Sequence, residues 1–323
     1  MRIRRGIRRI AVVTVLLVGG SVALVVVSPR VGVSVFHMAA ASPPSAQALS
    51  PDMATGACMA LSPTHGDNHH TVFLDAGHGG VDPGGVGTTQ SGQTVAESTV
   101  NLAIELHASD LLRAEGYRVV VSRTSDTTVV RLTPEDMSGQ YLSELGVHND
   151  VAARDVCADL AKADALVGIY MDAGGTTSNA GSVTLYDTAR PFAAANQQLA
   201  TLLQHDVLAA MNAQGWQIPD DGVSPDSGYG SSSGNPSAGG LAALAASYGH
   251  LLLLGPPLAG FQTTPSLMPG AVIEPLYLTD PFEGSIAANP ADQQIIAGGI
   301  ATAVEQYLAP PPKAPTTTTA AGG

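Results

Sequence analysis

Short apolar runs alternate with longer stretches of helical period from residue 71 to residue 308. The runs predict strands at Thr71–Asp75, Tyr117–Ser122, Ala165–Met171, Ser182–Tyr186, Leu251–Leu254 and Ala271–Glu274. Apolar residues that recur every three or four positions predict helices that begin at Glu97 and that cover Val151–Ala161, Pro191–Met211 and Asp292–Leu308. This alternation predicts an α/β fold: a single three-layer domain, residues 71–308, with a mixed, largely parallel sheet flanked by helices.

The first 30 residues show a different pattern. Five arginines precede an apolar run from Ile10 to Val27; they are Arg2, Arg4, Arg5, Arg8 and Arg9. A basic start followed by such a run is typical of a signal peptide or a membrane anchor, and the positive charge places the rest of the chain outside the cytoplasm. Ala46-Gln47-Ala48 has the form of a cleavage site but lies far beyond the run. The sequence therefore predicts export and leaves cleavage open.

Three further segments lack a sustained period. Residues 31–70, rich in Pro, Ser, Ala and His, are predicted to be a linker. Residues 309–323, rich in Pro and Thr, are predicted to be a disordered tail. Residues 217–240 are crowded with Gly, Ser, Asp and Pro, which predicts a mobile loop or an insertion inside the domain.

Charge is distributed unevenly along the chain. Six of its 14 basic residues and none of its 27 acidic residues lie in residues 1–48, so the remainder is strongly acidic. Nucleic acid and anionic lipid surfaces both require a basic footprint, so the exported part is not expected to bind either. An uncharged or mixed-charge substrate fits this balance, whereas the oligomeric state is left open.

Two cysteines are present, Cys58 and Cys157. In an oxidising compartment they are expected to form a disulfide that ties the segment before the first predicted strand to a later helix. Their spacing does not form a zinc-ligand knuckle.

Residues whose side chains can bind a metal or transfer a proton stand at the ends of several predicted strands. His78, Tyr170 and Glu274 stand at or just past the ends of their strands. In largely parallel sheets the functional residues gather beyond the carboxyl ends of the strands, so these three side chains are expected to converge.

The motifs that surround these residues resemble a known enzyme family. The segment Val72 to Gly85, with its Asp75-Ala76-Gly77-His78-Gly79-Gly80 turn, is followed by Glu97 at the start of a helix, and later by the Met268 to Glu274 stretch. Together with Val121 to Asp126, Arg154 to Asp164 and Thr279-Asp280-Pro281, they resemble the zinc-dependent N-acetylmuramoyl-L-alanine amidases of the AmiC/CwlV type. The resemblance spans roughly residues 71–308 in the family's order.

The resemblance implies a function and a metal site. In that family a His, a Glu and a second His bind Zn²⁺, and water completes a tetrahedron. The bound water cleaves the amide bond between N-acetylmuramoyl and L-alanine in peptidoglycan, and a glutamate transfers the proton. Carried over, His78 and Glu97 are expected to be metal ligands and Glu274 the acid/base residue.

The third ligand departs from the family. Tyr170 stands where the second His is expected, and a phenol with a pKa of about 10 is a poor zinc ligand. Asp172 lies two residues further on, on the same face of the strand, and is predicted to replace that His. His148 and His250 are further candidates for the third ligand, although nothing in the sequence places them near the site.

Other functions besides that of an active zinc amidase remain open. The chain could be a catalytically degenerate relative that binds peptidoglycan or regulates another hydrolase, or a metal enzyme for another amide. Asp75 and Asp82 are predicted to stabilise turns. Arg123 and Arg154 are predicted to brace the scaffold through hydrogen bonds or ion pairs.

Overall fold

A computed structural model of the chain describes residues 46–227 and 247–310, and it gives the backbone of three strands ahead of them. Those strands, Val13–Val18 (β1), Ser21–Ser28 (β2) and Val31–His37 (β3), form an antiparallel sheet. The other residues of the predicted signal or anchor segment, and the predicted tail from residue 311 onward, lie outside the described residues. Among the described helices, none combines the length and apolar character that a membrane crossing requires.

Among the residues that the structure describes, twelve strands and five α-helices follow from residue 47. In chain order they are Gln47–Ala48 (β4), Ala57–Leu61 (β5), Thr71–Ala76 (β6), Val86–Thr88 (β7), Thr94–Ala96 (β8), Glu97–Ala114 (α1), Arg118–Arg123 (β9), Met137–Ser138 (β10), Tyr141–Leu142 (β11), Glu144–Ala161 (α2), Ala165–Ile169 (β12), Ser182–Tyr186 (β13), Ala193–Asn212 (α3), Asp220–Pro225 (β14), Gly270–Glu274 (β15), Pro281–Ala287 (α4) and Pro290–Leu308 (α5). These bounds refer to the residues that the structure describes.

The centre is a mixed eight-stranded sheet with the order β14-β13-β15-β12-β6-β9-β5-β4. The four middle strands β15, β12, β6 and β9 run parallel, with Ile169 of β12 beside both Ala76 of β6 and Ile273 of β15. β13 runs antiparallel to β15, and β5 runs antiparallel to β9. The carboxyl ends of β6, β12 and β15 therefore meet at one edge of the sheet.

Helices cover both faces of the sheet. Leu74 of β6 packs on one face with Ile104 of α1, Leu203 of α3 and Ile300 of α5. Its neighbour Phe73 points to the other face and packs with residues of α2. Successive strand residues point to opposite faces, so a sheet buried on both sides needs continuous apolar runs. The predicted three-layer α/β fold is confirmed.

Two predictions from the apolar pattern are wrong. Leu251–Leu254 is a turn rather than a strand, and the buried side chains of Leu253 and Leu254 cover the face of the sheet that α2 also covers. A short apolar run does not by itself distinguish a strand from a buried loop. The predicted linker, residues 31–70, contains β5, which pairs with β9. The linker prediction is therefore wrong for residues 57–61.

The predicted loop at residues 217–240 contains a strand. β14 pairs in parallel with β13 at the edge of the sheet, and its side chains are exposed or half-buried. An edge strand of this kind carries little of the apolar signal by which strands are recognised. Residues 228–240 of the predicted loop lie outside the described residues.

The disulfide expected between Cys58 and Cys157 is present. Cys58 lies on β5 and Cys157 on α2, their Cα atoms are 5.6 Å apart, and both residues are fully buried. The bond joins an outer strand of the sheet to the helix layer on one face.

Candidate active site

The edge where the parallel strands end brings the predicted site residues together. His78 lies two residues beyond β6, Tyr170 directly follows β12, and Glu274 is the last residue of β15. Glu97 begins α1, and its carboxylate reaches His78. The convergence expected from the strand ends is confirmed.

His78 and Glu97 form a pair of donor atoms. His78 Nε2 lies 3.3 Å from Glu97 Oε2. Two ligands of a tetrahedral zinc ion, each about 2.0–2.1 Å from the metal, lie about 3.4 Å apart. The spacing of this pair therefore fits two neighbouring corners of a zinc tetrahedron.

Backbone and side-chain donors fix the Glu97 carboxylate. Its Oε1 accepts hydrogen bonds from the Met171 N–H at 3.0 Å and the Asn101 amide at 3.3 Å, and its Oε2 accepts one from the Gly85 N–H at 2.7 Å. Burial raises the pKa of Glu97, but the hydrogen bond and charge of His78 and these N–H groups outweigh it, so the pKa is lowered. Glu97 is therefore ionised and held in one orientation.

Asp82 orients the other side of the His78 ring. Its Oδ2 lies 2.8 Å from His78 Nδ1, and its Oδ1 accepts a hydrogen bond from the Gly84 N–H. Metal-binding histidines commonly place a carboxylate on the ring nitrogen that faces away from the metal. Asp82 thus stabilises its turn, as predicted, and also orients His78, which the sequence reasoning missed.

The carboxylates of Asp82 and Glu97 make the surroundings of His78 negative, which favours a positive charge there, either a proton on the ring or a metal ion that replaces the proton at Nε2. Burial lowers the pKa of His78, but the hydrogen bonds and charges of Asp82 and Glu97 outweigh it and raise the pKa to about 10. The residue also has a φ of 61°, in the left-handed region that few non-glycine residues adopt. Such backbone conformations concentrate at functional sites.

Two buried arginines hold the turn that carries His78. Arg154 donates to the carbonyl oxygens of Ala76 at 2.7 Å and of His78 at 2.9 Å. Arg123 donates to the carbonyls of Ala76 and Gly77, both at 3.2 Å. The prediction that both arginines brace the scaffold is confirmed.

Two glycines of the turn are required by close packing. A Cβ on Gly84 would lie 2.6 Å from both Glu97 Oε2 and His78 Cδ2, and one on Gly77 would collide with the Tyr170 ring. The glycine-rich motif therefore allows the backbone to pass directly beside the donor pair.

Tyr170 fills space beside His78 without offering a metal ligand. Its ring stands edge-on to the His78 ring, with the centroids 5.6 Å apart, and its hydroxyl donates to Asp75 Oδ2 at 3.2 Å. Burial, the charge of Asp75 and the hydrogen bond to it raise the pKa of Tyr170 well above its usual value. The phenolate that zinc would require is therefore disfavoured.

We expect Tyr170→Phe to leave zinc binding unchanged, because the hydroxyl donates to Asp75 and not to the metal. The free energy of unfolding should fall by about 1 kcal/mol through the lost hydrogen bond. Zinc content and urea unfolding check both effects. Loss of zinc in this variant would show that the hydroxyl is a ligand.

Asp172 is engaged by a neighbouring segment. Its backbone pairs with Leu276 and Leu278, and its carboxylate accepts a hydrogen bond from the Tyr277 hydroxyl. Within residues 46–227 and 247–310, Asp172 does not join His78 and Glu97 in a group whose ligand atoms all lie within 4.8 Å. Its assignment as the third ligand stays a prediction, and it requires the carboxylate to leave Tyr277.

Glu274 has the properties of a proton carrier. Burial, followed by the negative charges of Asp172 and Glu97, raises its pKa to about 8, although His78 lowers it. A carboxyl group with a pKa near neutrality can both accept and release a proton at physiological pH. These electrostatic interactions show that Glu274 lies near Asp172, Glu97 and His78.

The two further histidine candidates are engaged elsewhere. His148 Nε2 donates to the Phe261 carbonyl at 2.8 Å. His250 Nδ1 faces Asp187 and Asp226, which follow the carboxyl ends of β13 and β14. Because β13 runs antiparallel to β15, this group lies at the opposite edge of the sheet from His78.

Comparisons with known proteins agree with this fold. Residues 72–306 match the family model described as N-acetylmuramoyl-L-alanine amidase. The chain is 30% identical over 144 residues to the N-acetylmuramoyl-L-alanine amidase LytC of Bacillus subtilis, an alignment that covers 45% of this chain and 24% of LytC. It spans about a quarter of the length of the curated relatives it matches.

Solved structures share the fold. An N-acetylmuramoyl-L-alanine amidase of Clostridium difficile 630 is 25% identical, with a TM-score of 0.50, over 75% of this chain and 98% of its own. The CwlD amidase of Clostridioides difficile, solved in complex with the GerS lipoprotein, is 19% identical, with a TM-score of 0.54, over 74% of this chain and 98% of its own. Since the family model matches well over half of the sequence, the chain belongs to the N-acetylmuramoyl-L-alanine amidase family.

Proposed function

We propose that the chain is an active zinc enzyme that hydrolyses the amide bond between N-acetylmuramoyl and L-alanine in peptidoglycan, outside the cytoplasmic membrane. The observation that carries the proposal is the His78–Glu97 donor pair, with Asp82 behind the His78 ring and Glu274 at the same edge of the sheet. Family membership supports the substrate, and the basic, apolar N-terminal segment supports export.

The donor set is chemically suited to zinc. An imidazole nitrogen and a carboxylate oxygen are both common zinc ligands. When bound, the ion polarises the scissile carbonyl and lowers the pKa of the attacking water. His78 and Glu97 would hold it, and Asp172 would supply a third ligand after its carboxylate turns away from Tyr277.

Glu274 would move the proton in the reaction. As a carboxylate it takes a proton from the attacking water, and as a carboxylic acid it gives that proton to the leaving amine of L-alanine. Burial, together with the negative charges of Asp172 and Glu97, raises the pKa of Glu274 and makes the protonated form accessible near neutral pH.

We expect Glu274→Gln to retain zinc and to lower kcat for the release of L-alanine peptides from peptidoglycan about a hundred- to ten-thousandfold, the usual contribution of a general acid/base. The amide of Gln has nearly the same shape but cannot carry the proton. Glu305→Gln, on the outer helix α5, is the matched control and should have full activity. Wild-type rates in Glu274→Gln would remove Glu274 from the mechanism.

A second candidate function rests on Tyr170. This residue occupies the place of a histidine ligand in the family, and its hydroxyl is bound to buried Asp75. A protein with a permanently incomplete zinc site would be a catalytically silent module that binds peptidoglycan. Zinc content and hydrolysis distinguish this function from the enzyme, because the silent module would bind peptidoglycan without cleaving it.

A further inference from the structure

A second cluster of metal-ligating side chains lies away from the candidate active site. Asp187 directly follows β13, Asp226 directly follows β14, and His250 lies in the loop before β15. Val183 of β13 pairs with Glu274 of β15. Asp187 is four residues further along the chain from Val183, so it lies about 13 Å along the strand direction from the edge of the sheet that carries Glu274. The cluster therefore belongs to the opposite edge of the sheet.

The three donor atoms converge on a small volume. His250 Nδ1 lies 2.8 Å from Asp187 Oδ2 and 3.3 Å from Asp226 Oδ1. All three atoms lie within 4.8 Å of one another. Both aspartates are fully buried, whereas the His250 side chain is 20% exposed and leaves an approach from solvent.

Backbone groups hold each carboxylate by the oxygen that faces away from the cluster. Asp187 Oδ1 accepts hydrogen bonds from the N–H groups of Ala189 at 2.7 Å and Arg190 at 2.9 Å. Asp226 Oδ2 accepts one from the Leu251 N–H at 3.0 Å. The remaining oxygens, Asp187 Oδ2 and Asp226 Oδ1, are thereby directed towards His250.

One of these oxygens lacks a hydrogen bond. Within the described part of the chain, Asp187 Oδ2 is buried and has no hydrogen-bond partner, although His250 Nδ1 is only 2.8 Å away. The hydrogen bond of His250 Nδ1 goes instead to Asp226 Oδ1. A buried carboxylate oxygen without a hydrogen bond is costly, so this arrangement favours a bound cation over a proton shared by three groups.

We propose that Asp187, Asp226 and His250 bind a zinc ion at this edge of the sheet. Two carboxylates balance the charge of a divalent cation, and the imidazole favours zinc over calcium or magnesium, which prefer oxygen ligands. The measured spacings of 2.8 and 3.3 Å approach the value of about 3.4 Å expected between ligands of a tetrahedral ion. The ion would join the ends of β13 and β14 to the loop that carries His250.

The test measures zinc binding to the full chain in a Glu97→Ala background, which removes a donor from the first site. We expect one equivalent of zinc to remain bound in this background and to raise the unfolding temperature. His250→Gln in the same background should abolish both effects. Asp226→Asn is the second variant, and circular dichroism verifies that each protein is folded.

The matched control is His205→Gln. His205 Nδ1 also lies 2.8 Å from a single aspartate, Asp206, but the pair has no third ligand within the described residues. This variant should keep the zinc. The proposal is overturned if the Glu97→Ala protein binds no zinc, or if folded His250→Gln and Asp226→Asn variants retain it. Neither result bears on the amidase activity, because the measurement does not depend on the first site.

Discussion

Glu97→Ala should reduce the release of L-alanine peptides from peptidoglycan to the background of the assay. Glu97 supplies one atom of the donor pair, since its Oε2 lies 3.3 Å from His78 Nε2. Its carboxylate also accepts hydrogen bonds from the backbone N–H groups of Met171 and Gly85. With a single ligand left in the pair, the first site should not retain an ion, so the zinc content should fall by one equivalent per chain. Amine release and metal analysis on the same preparation measure both losses.

The control for this variant separates loss of the ion from loss of the fold. Glu97→Gln keeps the size of the side chain, but its single amide oxygen can accept from only one of the two backbone N–H groups, so its free energy of unfolding should fall by about 1–3 kcal/mol while the chain stays folded. It should nevertheless lose activity, because an amide oxygen is a weaker zinc ligand than a carboxylate. Full activity in either Glu97 variant would remove Glu97 from the metal site.

In the same assay, Asp172→Ala tests the third ligand. If Asp172 leaves Tyr277 to bind the ion, this variant should lose zinc and activity together, as Glu97→Ala does. Retention of zinc in Asp172→Ala, with loss in Glu97→Ala, would assign the third ligand to another residue.

Removing the disulfide should produce the largest change in stability. The bond between Cys58 and Cys157 spans 99 residues, and in the chain-entropy treatment a loop of that length stabilises the fold by about 4–5 kcal/mol. The Cys58→Ala/Cys157→Ala variant should therefore unfold at a much lower urea concentration than the wild type. Both sulfur atoms are buried, so two small cavities should add to the loss.

Reduction provides the internal control for the disulfide. A reductant should shift the unfolding midpoint of the wild type towards that of the double variant and should leave the double variant unchanged. A double variant with wild-type stability would show that the bond contributes little beyond the packing of β5 on β9.

The sequence predicted the core of the fold because the central strands are buried on both faces. Phe73 and Leu74 of β6 face opposite layers, so the whole strand is apolar and easily recognised. Strand β5 and the edge strand β14 were missed, because β5 follows a polar segment and β14 is largely exposed. Leu253 and Leu254 were assigned to a strand because burial in a loop produces the same short apolar run.

The candidate site was predictable where strand ends or the family resemblance defined it, and Glu97, at the start of α1, came from the resemblance. His78 and Glu274 follow from the ends of β6 and β15, whereas the role of Asp82 depends on a turn that folds its carboxylate back onto His78 Nδ1. The cluster of Asp187, Asp226 and His250 could not be found from spacing, because its residues come from three segments that the antiparallel strand β13 brings together.

The most direct test of the amidase proposal is amine release from purified peptidoglycan by the full chain, before and after chelation of zinc. We expect new amino termini at L-alanine, their loss when zinc is removed, and their return when zinc is added back. A folded protein that binds peptidoglycan yet releases no L-alanine amine at any zinc concentration would contradict the enzyme function and leave a peptidoglycan-binding module.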